Sequence, residues 1–122
     1  MKKTLILLLA LSGFAQADDE TYYAYYGIAT TNPPAVVAAM DKFNASECGQ
    51  KTESTVALMS ETFNGGEPST HTFVVTYNGS KVLDETLATL STCPDYATFL
   101  TEMAEVSVPT EQNLVKKVYE QG

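Results

Sequence analysis

The sequence contains no tryptophan and no arginine, and it has one histidine and two cysteines among 122 residues. Without arginine it lacks the side chain that best clamps phosphate or carboxylate groups through two hydrogen bonds. A metal centre needs several converging His, Cys or carboxylate ligands, so we expect no metal and no cofactor. G-x-S-x-G, P-loop and dinucleotide-binding motifs are also absent. No motif therefore points to a particular reaction.

Acidic residues outnumber basic ones. Fifteen Asp and Glu stand against seven Lys, which gives a net charge of −8. Binding to nucleic acid depends on clustered positive charge, so we expect no nucleic-acid partner. We interpret the acidity as a contribution to solubility.

The first seventeen residues have the layout of a cleaved secretory signal peptide. Lys2 and Lys3 precede the apolar run Leu5–Leu11, and the small residues of Ala15-Gln16-Ala17 form a cleavage site. The apolar run is too short to span a bilayer. We expect a mature chain of residues 18–122, forming one domain that is exported to a bacterial periplasm without membrane insertion. With five Lys against fifteen acidic residues, this chain would carry a net charge of −10.

Cys48 and Cys93 are the two cysteines, 45 residues apart. An even number of cysteines in an oxidising compartment predicts a disulfide. The alternative is a reactive pair, but this separation excludes a C-x-x-C redox motif. We therefore expect a structural Cys48–Cys93 bridge.

Hydrophobic periodicity predicts the order β-α-β-β-α-β. This order is typical of a ferredoxin-like α+β fold, in which two helices cover one face of a four-stranded antiparallel sheet. Asn32 is a candidate cap for the first helix, and Ser80 is one for the second. Pro109 is expected to end the second helical region. The predicted strands are 21–30, 54–63, 70–77 and 112–119, and the predicted helical regions are 33–46 and 81–105, the latter broken near Cys93.

The strands do not alternate cleanly between apolar and polar residues, as a sheet with one solvated face should. In the first strand Tyr22, Ala24, Tyr26 and Ile28 point one way, and Tyr23, Tyr25 and Gly27 point the other. Neither set is polar. We expect a second copy of the chain to cover the face that the helices leave open, which predicts a homodimer. The pattern leaves open which face lines any cavity.

The stretch His71–Leu100 resembles the second half of dimeric α+β barrel proteins, including the antibiotic-biosynthesis monooxygenase-like and NIPSNAP-like groups. Their D-P-D-W-x-x-F-like turn reads CPDYATF over Cys93–Phe99. The resemblance implies two sheets that pair face to face and enclose a cavity. Its members include cofactor-independent monooxygenases, isomerases and haem-degrading enzymes. The last of these rely on an Asn-Trp-His set that a chain without tryptophan does not have.

Two groups of side chains are candidates for function. His71 is a candidate catalytic base or ligand-binding residue, because its ordinary pKa lies near neutrality; the alternative is a structural residue at the edge of a strand. Tyr23 and Tyr25 are candidate ligand-binding residues on the open face, and dimer packing is their alternative role.

These features favour an exported, dimeric module that binds a small apolar molecule between its sheets without catalysis. The alternative is a cofactor-independent monooxygenase-like or isomerase-like enzyme acting on a small apolar molecule, with His71 or a tyrosine moving a proton.

Overall fold

The computed structural model describes residues 20–122. The predicted signal peptide and the expected new N-terminus at Asp18 lie outside these residues. Within 20–122, no helix has both the length and the apolar character needed to cross a membrane. The elements are β1 (Thr21–Ala29), α1 (Pro33–Ala45), a 3-10 turn (Gly49–Lys51), β2 (Thr55–Ser60), β3 (His71–Asn78), α2 (Ser80–Ser91), α3 (Pro94–Val106) and β4 (Val108–Lys116).

The four strands form one antiparallel sheet in the order β2-β3-β1-β4, which confirms the predicted ferredoxin-like α+β fold. Tyr26 lies opposite Phe73 on β3 and opposite Gln112 on β4, so β1 is a central strand with a partner on each side. Because side chains alternate along a strand, this register places Tyr26, Phe73 and Gln112 on the same face.

The helices begin where the sequence offers a cap. The Oδ1 of Asn32 accepts a hydrogen bond from the amide of Ala35 at 3.3 Å, and prolines occupy the first turn of α1. The Sγ of Cys93 accepts one from the amide of Tyr96 at 3.1 Å, and Pro94 starts α3. The break predicted near Cys93 therefore separates two helices. The expectation for Ser80 was wrong, because Gly79, with φ of 109°, is the cap and Ser80 is the first helical residue.

The last strand starts earlier than predicted. It begins at Val108 and includes Pro109, which we had expected only to end the helical region. Proline cannot donate a ladder hydrogen bond and is tolerated in edge strands and at bulges. Both conditions hold here, since β4 is an edge strand and its register with β1 shifts between Gly27 and Ile28.

The helices cover the face that carries Ile28 and Phe73. These two side chains join Val36 and Ala39 of α1 and Met103 of α3 in the buried core. Residues in phase with Tyr23 and Tyr25 therefore lie on the opposite face. This confirms the prediction that the helices share one side of the sheet and leave those tyrosines on the other.

A set of contacts joins α1 to α3. The predicted disulfide between Cys48 and Cys93 is present, with a Cα–Cα distance of 6.2 Å that suits such a bond. Nζ of Lys42 lies 2.7 Å from Oε2 of Glu102 across the two helices. The ring centroid of Phe43 is 5.7 Å from that of Tyr96. An exposed ion pair adds little stability, so the disulfide and the aromatic packing dominate.

We expect Cys48→Ala to lower the free energy of unfolding. Closing a loop of 45 residues is worth roughly 4 kcal/mol in the chain-entropy model. Cys48 is the better position to change because Cys93 also caps α3. The measurement is urea denaturation of the variant and the wild type without reductant. The difference should vanish when both are measured in dithiothreitol, and equal stability without reductant would contradict the structural role.

Candidate functional site: a cavity beneath the helices

A cavity of about 970 Å³ lies between the helix-covered face of the sheet and the three helices. Such a volume is at the upper end of the range for small-molecule sites. Most of its wall is apolar, and Met40 and Met103 contribute flexible side chains that adapt to irregular shapes. Its aromatic lining residues are Tyr26, Phe43, Phe73, Tyr77, Tyr96 and Phe99.

Three tyrosines reach the cavity from different elements. Tyr26 and Tyr77 rise from the neighbouring strands β1 and β3. The pair between them in the ladder is Ala24 and Val75, and Ala24 is only 2% exposed. The methyl group of Ala24 leaves room for the two phenols to approach each other above it. Tyr96 comes from the first turn of α3 and lines the same space.

Burial sets the protonation of these phenols. Tyr77 is only 2% exposed, and burial raises its pKa to about 12, with the neighbouring phenols of Tyr26 and Tyr96 adding to the effect. Burial also raises the pKa of Tyr96, again with a contribution from Tyr26. Tyr77 and Tyr96 are therefore neutral hydrogen-bond donors throughout the physiological pH range.

The lining carries almost no charge. Among residues 20–122 it includes no Lys, Arg, His or Asp, and Glu111 is its one charged residue. Glu111 pairs with Gly27, and its Cγ lies 3.3 Å from the point that a Cβ on Gly27 would occupy. Since Gly27 is in phase with Tyr25, that point faces away from the helices. The Cγ of Glu111 therefore lies on the open-face side of the sheet, although the residue also borders the cavity.

Glycine is required at position 27. A Cβ there would lie 2.5 Å from Oγ1 of Thr110 and 2.9 Å from Oγ of Ser69. These two hydroxyl groups are 2.6 Å apart and hydrogen-bond directly above Gly27. The contact fixes the bulge of β4 beside the cavity edge.

The predicted site residues do not come together. Tyr23 and Tyr25 lie on the open face, whereas His71 is in phase with Phe73 on the other face and lies outside the cavity lining. Nδ1 of His71 is 2.9 Å from Oγ1 of Thr70, the neighbouring hydroxyl. A single site built from Tyr23, Tyr25 and His71 is therefore excluded within one chain. Ligand binding by any of them separately stays a prediction.

The cavity also differs from the expected one. We predicted a space between the sheets of two chains, and the cavity described here lies within one chain on the other side of the sheet. Sequence reasoning missed Tyr26, Tyr77 and Tyr96 as lining residues because it did not determine which face of the sheet lines a cavity. One signal was present: Thr86 and Ser91, which line the cavity from α2, are polar and smaller than the leucines that share its lining.

One group of side chains has the elements of a metal site. Sγ of Cys48, Sγ of Cys93 and a carboxylate oxygen of Asp95 lie within 4.8 Å of one another. The two sulfur atoms are bonded to each other. A disulfide offers no thiolate to a metal ion, so the two sulfur atoms serve here as a cross-link.

Comparison with known proteins identifies the fold. No protein-family model and no curated protein matches the sequence. SnoaB, a cofactor-independent oxygenase from Streptomyces nogalater, is a structural neighbour at a TM-score of 0.53 and 13% identity, covering 87% of this chain and 97% of its own. A DABB family protein with a ferredoxin-like fold from Mesorhizobium loti has a TM-score of 0.53 and 8% identity, with 84% and 99% covered.

A third neighbour is a dimeric ferredoxin-like protein of unknown function from Thermobifida fusca. Its TM-score is 0.50 at 12% identity, with 80% of this chain and 90% of that chain covered. The chain shares the ferredoxin-like fold of these neighbours, as the sequence resemblance implied.

We predict that the phenol of Tyr77 loses its proton only at very high pH. The raised pKa of Tyr77 keeps its phenol neutral until about pH 12. The unfolded chain loses the same proton near pH 10, so the stability that depends on neutral Tyr77 is complete below pH 10 and is lost as the pH rises towards 12. Absorbance titration at 295 nm measures the ionisation, and Tyr77→Phe should remove the late step. A wild-type titration that is complete by pH 11 would refute this prediction.

Proposed function

We propose that this protein is an exported, homodimeric binding protein that holds a small apolar molecule in the cavity beneath its helices. The cavity of about 970 Å³ carries the proposal, because its wall combines six aromatic side chains with almost no charge. Such walls bury the surface of an apolar ligand, and a few polar groups orient it. The signal-like segment of residues 1–17 supports export to the periplasm.

The dimer rests on the open face of the sheet. Tyr25 is 36% exposed there, and Met59 and Val115, in phase with it, are more exposed still. A contiguous apolar patch on one side of a small protein marks a contact surface. Neighbours of the same fold are described as dimeric, which supports a second copy of this chain as the cover.

An enzyme is the second candidate. SnoaB shares the fold and is described as a cofactor-independent oxygenase. In the cavity of this chain, however, no imidazole lines the wall, and Glu111 is the one acidic residue among the described lining residues, with its Cγ beside Gly27. Tyr77 and Tyr96 hold their protons at neutral pH, so they are poor general bases. The lining therefore favours binding over monooxygenase-like or isomerase-like chemistry.

Val75 and Val74 give a matched test of cavity binding. Val75 lines the cavity, and its neighbour Val74 pairs with Tyr25 on the open face. Because the chain has no tryptophan, each of Val75→Trp and Val74→Trp carries a single indole as a reporter. The cavity beside Val75 has room for the larger ring. Bromobenzene, which quenches by contact, should quench the indole of Val75→Trp saturably and that of Val74→Trp only in proportion to its concentration. Equal quenching of the two variants would contradict binding in the cavity.

The dimer can be tested by introducing a negative charge on the open face of the sheet and, as a control, on the helix side. We expect Tyr25→Glu to yield monomers, because it buries a carboxylate without a partner in the contact between sheets. Ala38→Glu adds the same charge to an exposed position of α1 and should leave the dimer intact. Sedimentation equilibrium at micromolar concentration measures the mass. A monomeric wild-type protein, or dissociation of both variants, would contradict a dimer formed through the open face.

A further inference from the structure

The Cys48–Cys93 bond ties together two segments of the cavity wall. Neither cysteine belongs to the lining, but each lies in the chain between two residues that do. These flanking residues are Asn44 and Thr52 around Cys48, and Ser91 and Tyr96 around Cys93. The bond therefore limits how far these two parts of the wall can separate, while its sulfur atoms stay outside the space itself.

Cys93 has a partner that stabilises it as a thiolate. Its Sγ accepts a hydrogen bond of 3.1 Å from the amide of Tyr96, and the residue caps α3, a helix of 13 residues. The N-terminus of a helix favours negative charge, and it stabilises the thiolate form of a cysteine placed there. Because a stabilised thiolate leaves faster, Cys93 is the better leaving group when the disulfide breaks.

Cys48 is the sulfur that is more open to attack. It is half-buried, whereas Cys93 is only 6% exposed. Oδ2 of Asp95 lies 3.7 Å from Sγ of Cys48. This carboxylate opposes negative charge on Cys48, and it can accept the proton of the Cys48 thiol once the bond is open. Both sulfur atoms of an opened bond thus have a partner already in place.

We propose that the Cys48–Cys93 bond is a redox-sensitive clamp, which a thiol opens at Cys48 and which thereby loosens the cavity wall and lowers its affinity for ligand. The inference rests on the proposed binding function and names a regulation of that site.

The opening reaction is a thiol–disulfide exchange in two steps. A thiolate from solution forms a bond to Sγ of Cys48, and the electron pair of the broken disulfide leaves with Sγ of Cys93. A second thiolate then attacks the added sulfur, and Cys48 leaves and takes up a proton to become a thiol. The two external thiols are oxidised to a disulfide, and the protein disulfide is reduced by two electrons.

The remaining contacts hold the chain together when the clamp is open. Val36 and Met103 keep α1 and α3 on the sheet through the buried core. The rings of Phe43 and Tyr96 join the two helices at a centroid distance of 5.7 Å. None of these contacts involves a sulfur atom of the disulfide. We therefore expect reduction to release the segment between α1 and β2 from the cap of α3 without unfolding the domain.

Val75→Trp, with bromobenzene as the probe, reports cavity binding in each redox state. We expect saturable quenching in the oxidised protein and an affinity at least about fivefold weaker in dithiothreitol, the lower end of typical coupling between two sites. Cys48→Ala in the same Val75→Trp background is the control. Because it lacks the bond, it should bind bromobenzene like the reduced protein and should not respond to dithiothreitol.

Linkage gives a second readout that a purely structural bond would not show. Coupling between two equilibria is reciprocal, so saturating bromobenzene should make the bond harder to reduce by the same factor. Alkylation of free thiols in buffers of reduced and oxidised dithiothreitol measures the reduced fraction with and without the probe. An unchanged reduced fraction would contradict the clamp.

The direction of opening is tested with 2-mercaptoethanol. After brief exposure, N-ethylmaleimide traps the free thiols, and peptide mass spectrometry locates both modifications. We expect 2-mercaptoethanol on Cys48 and N-ethylmaleimide on Cys93 in the singly opened protein. The reverse distribution, or an equal one, would overturn attack at Cys48.

The outcomes separate the clamp from the proposed function. If bromobenzene does not saturate in the oxidised protein, the proposed function fails, and the clamp fails with it. If it binds the reduced protein equally well or more tightly, the cavity binds but the bond does not control it. Loss of the far-ultraviolet circular dichroism of the fold on reduction would also overturn the clamp. If Val75→Trp itself does not fold, the ¹³C-methyl signals of Met40 and Met103, which line the cavity, report bromobenzene binding instead.

Discussion

The attachment of α1 to α3 is the constraint on which the cavity depends. Val36 of α1 and Met103 of α3 pack on Ile28 and Phe73 of the sheet, and the cavity lies between these helices and the sheet. The contact of Phe43 with Tyr96 joins the helices directly, and the Cys48–Cys93 bond links the segment after α1 to the cap of α3. They keep the roof of the cavity in place without filling it.

The sheet divides the molecule into two independent surfaces. Tyr25 and Tyr26 are neighbours in β1, yet one faces the open side and the other faces the cavity. A shift of one residue in the register would exchange them, so the pairing of β1 with β3 decides which tyrosine serves which surface. Gly27 and the Ser69–Thr110 hydrogen bond fix the position of β4 next to this pairing. Substitutions on one face can therefore be made without disturbing the other.

Local patterns were sufficient to predict the elements and their order. Asn32, Pro94 and the runs of β-branched and aromatic residues each determine structure over a few residues, and the disulfide followed from two cysteines in a chain expected to be exported. The start of β4 was less predictable, because Pro109 is compatible with a strand only at an edge and beside a bulge. The cavity was not predictable from these patterns. It is lined by residues from all four strands and all three helices, and their arrangement in space is a tertiary property that local patterns do not give.

The distribution of charge bears on the kind of ligand that the cavity is proposed to bind. The chain is strongly acidic, but within residues 20–122 Glu111 is the one acidic residue that lines the cavity. Inside, the raised pKa of Tyr77 preserves neutral donors where a carboxylate or imidazole would carry charge. An acidic exterior repels anions at long range, and an uncharged interior offers them no compensation on entry. This distribution of charge supports the proposed binding of uncharged rather than anionic molecules.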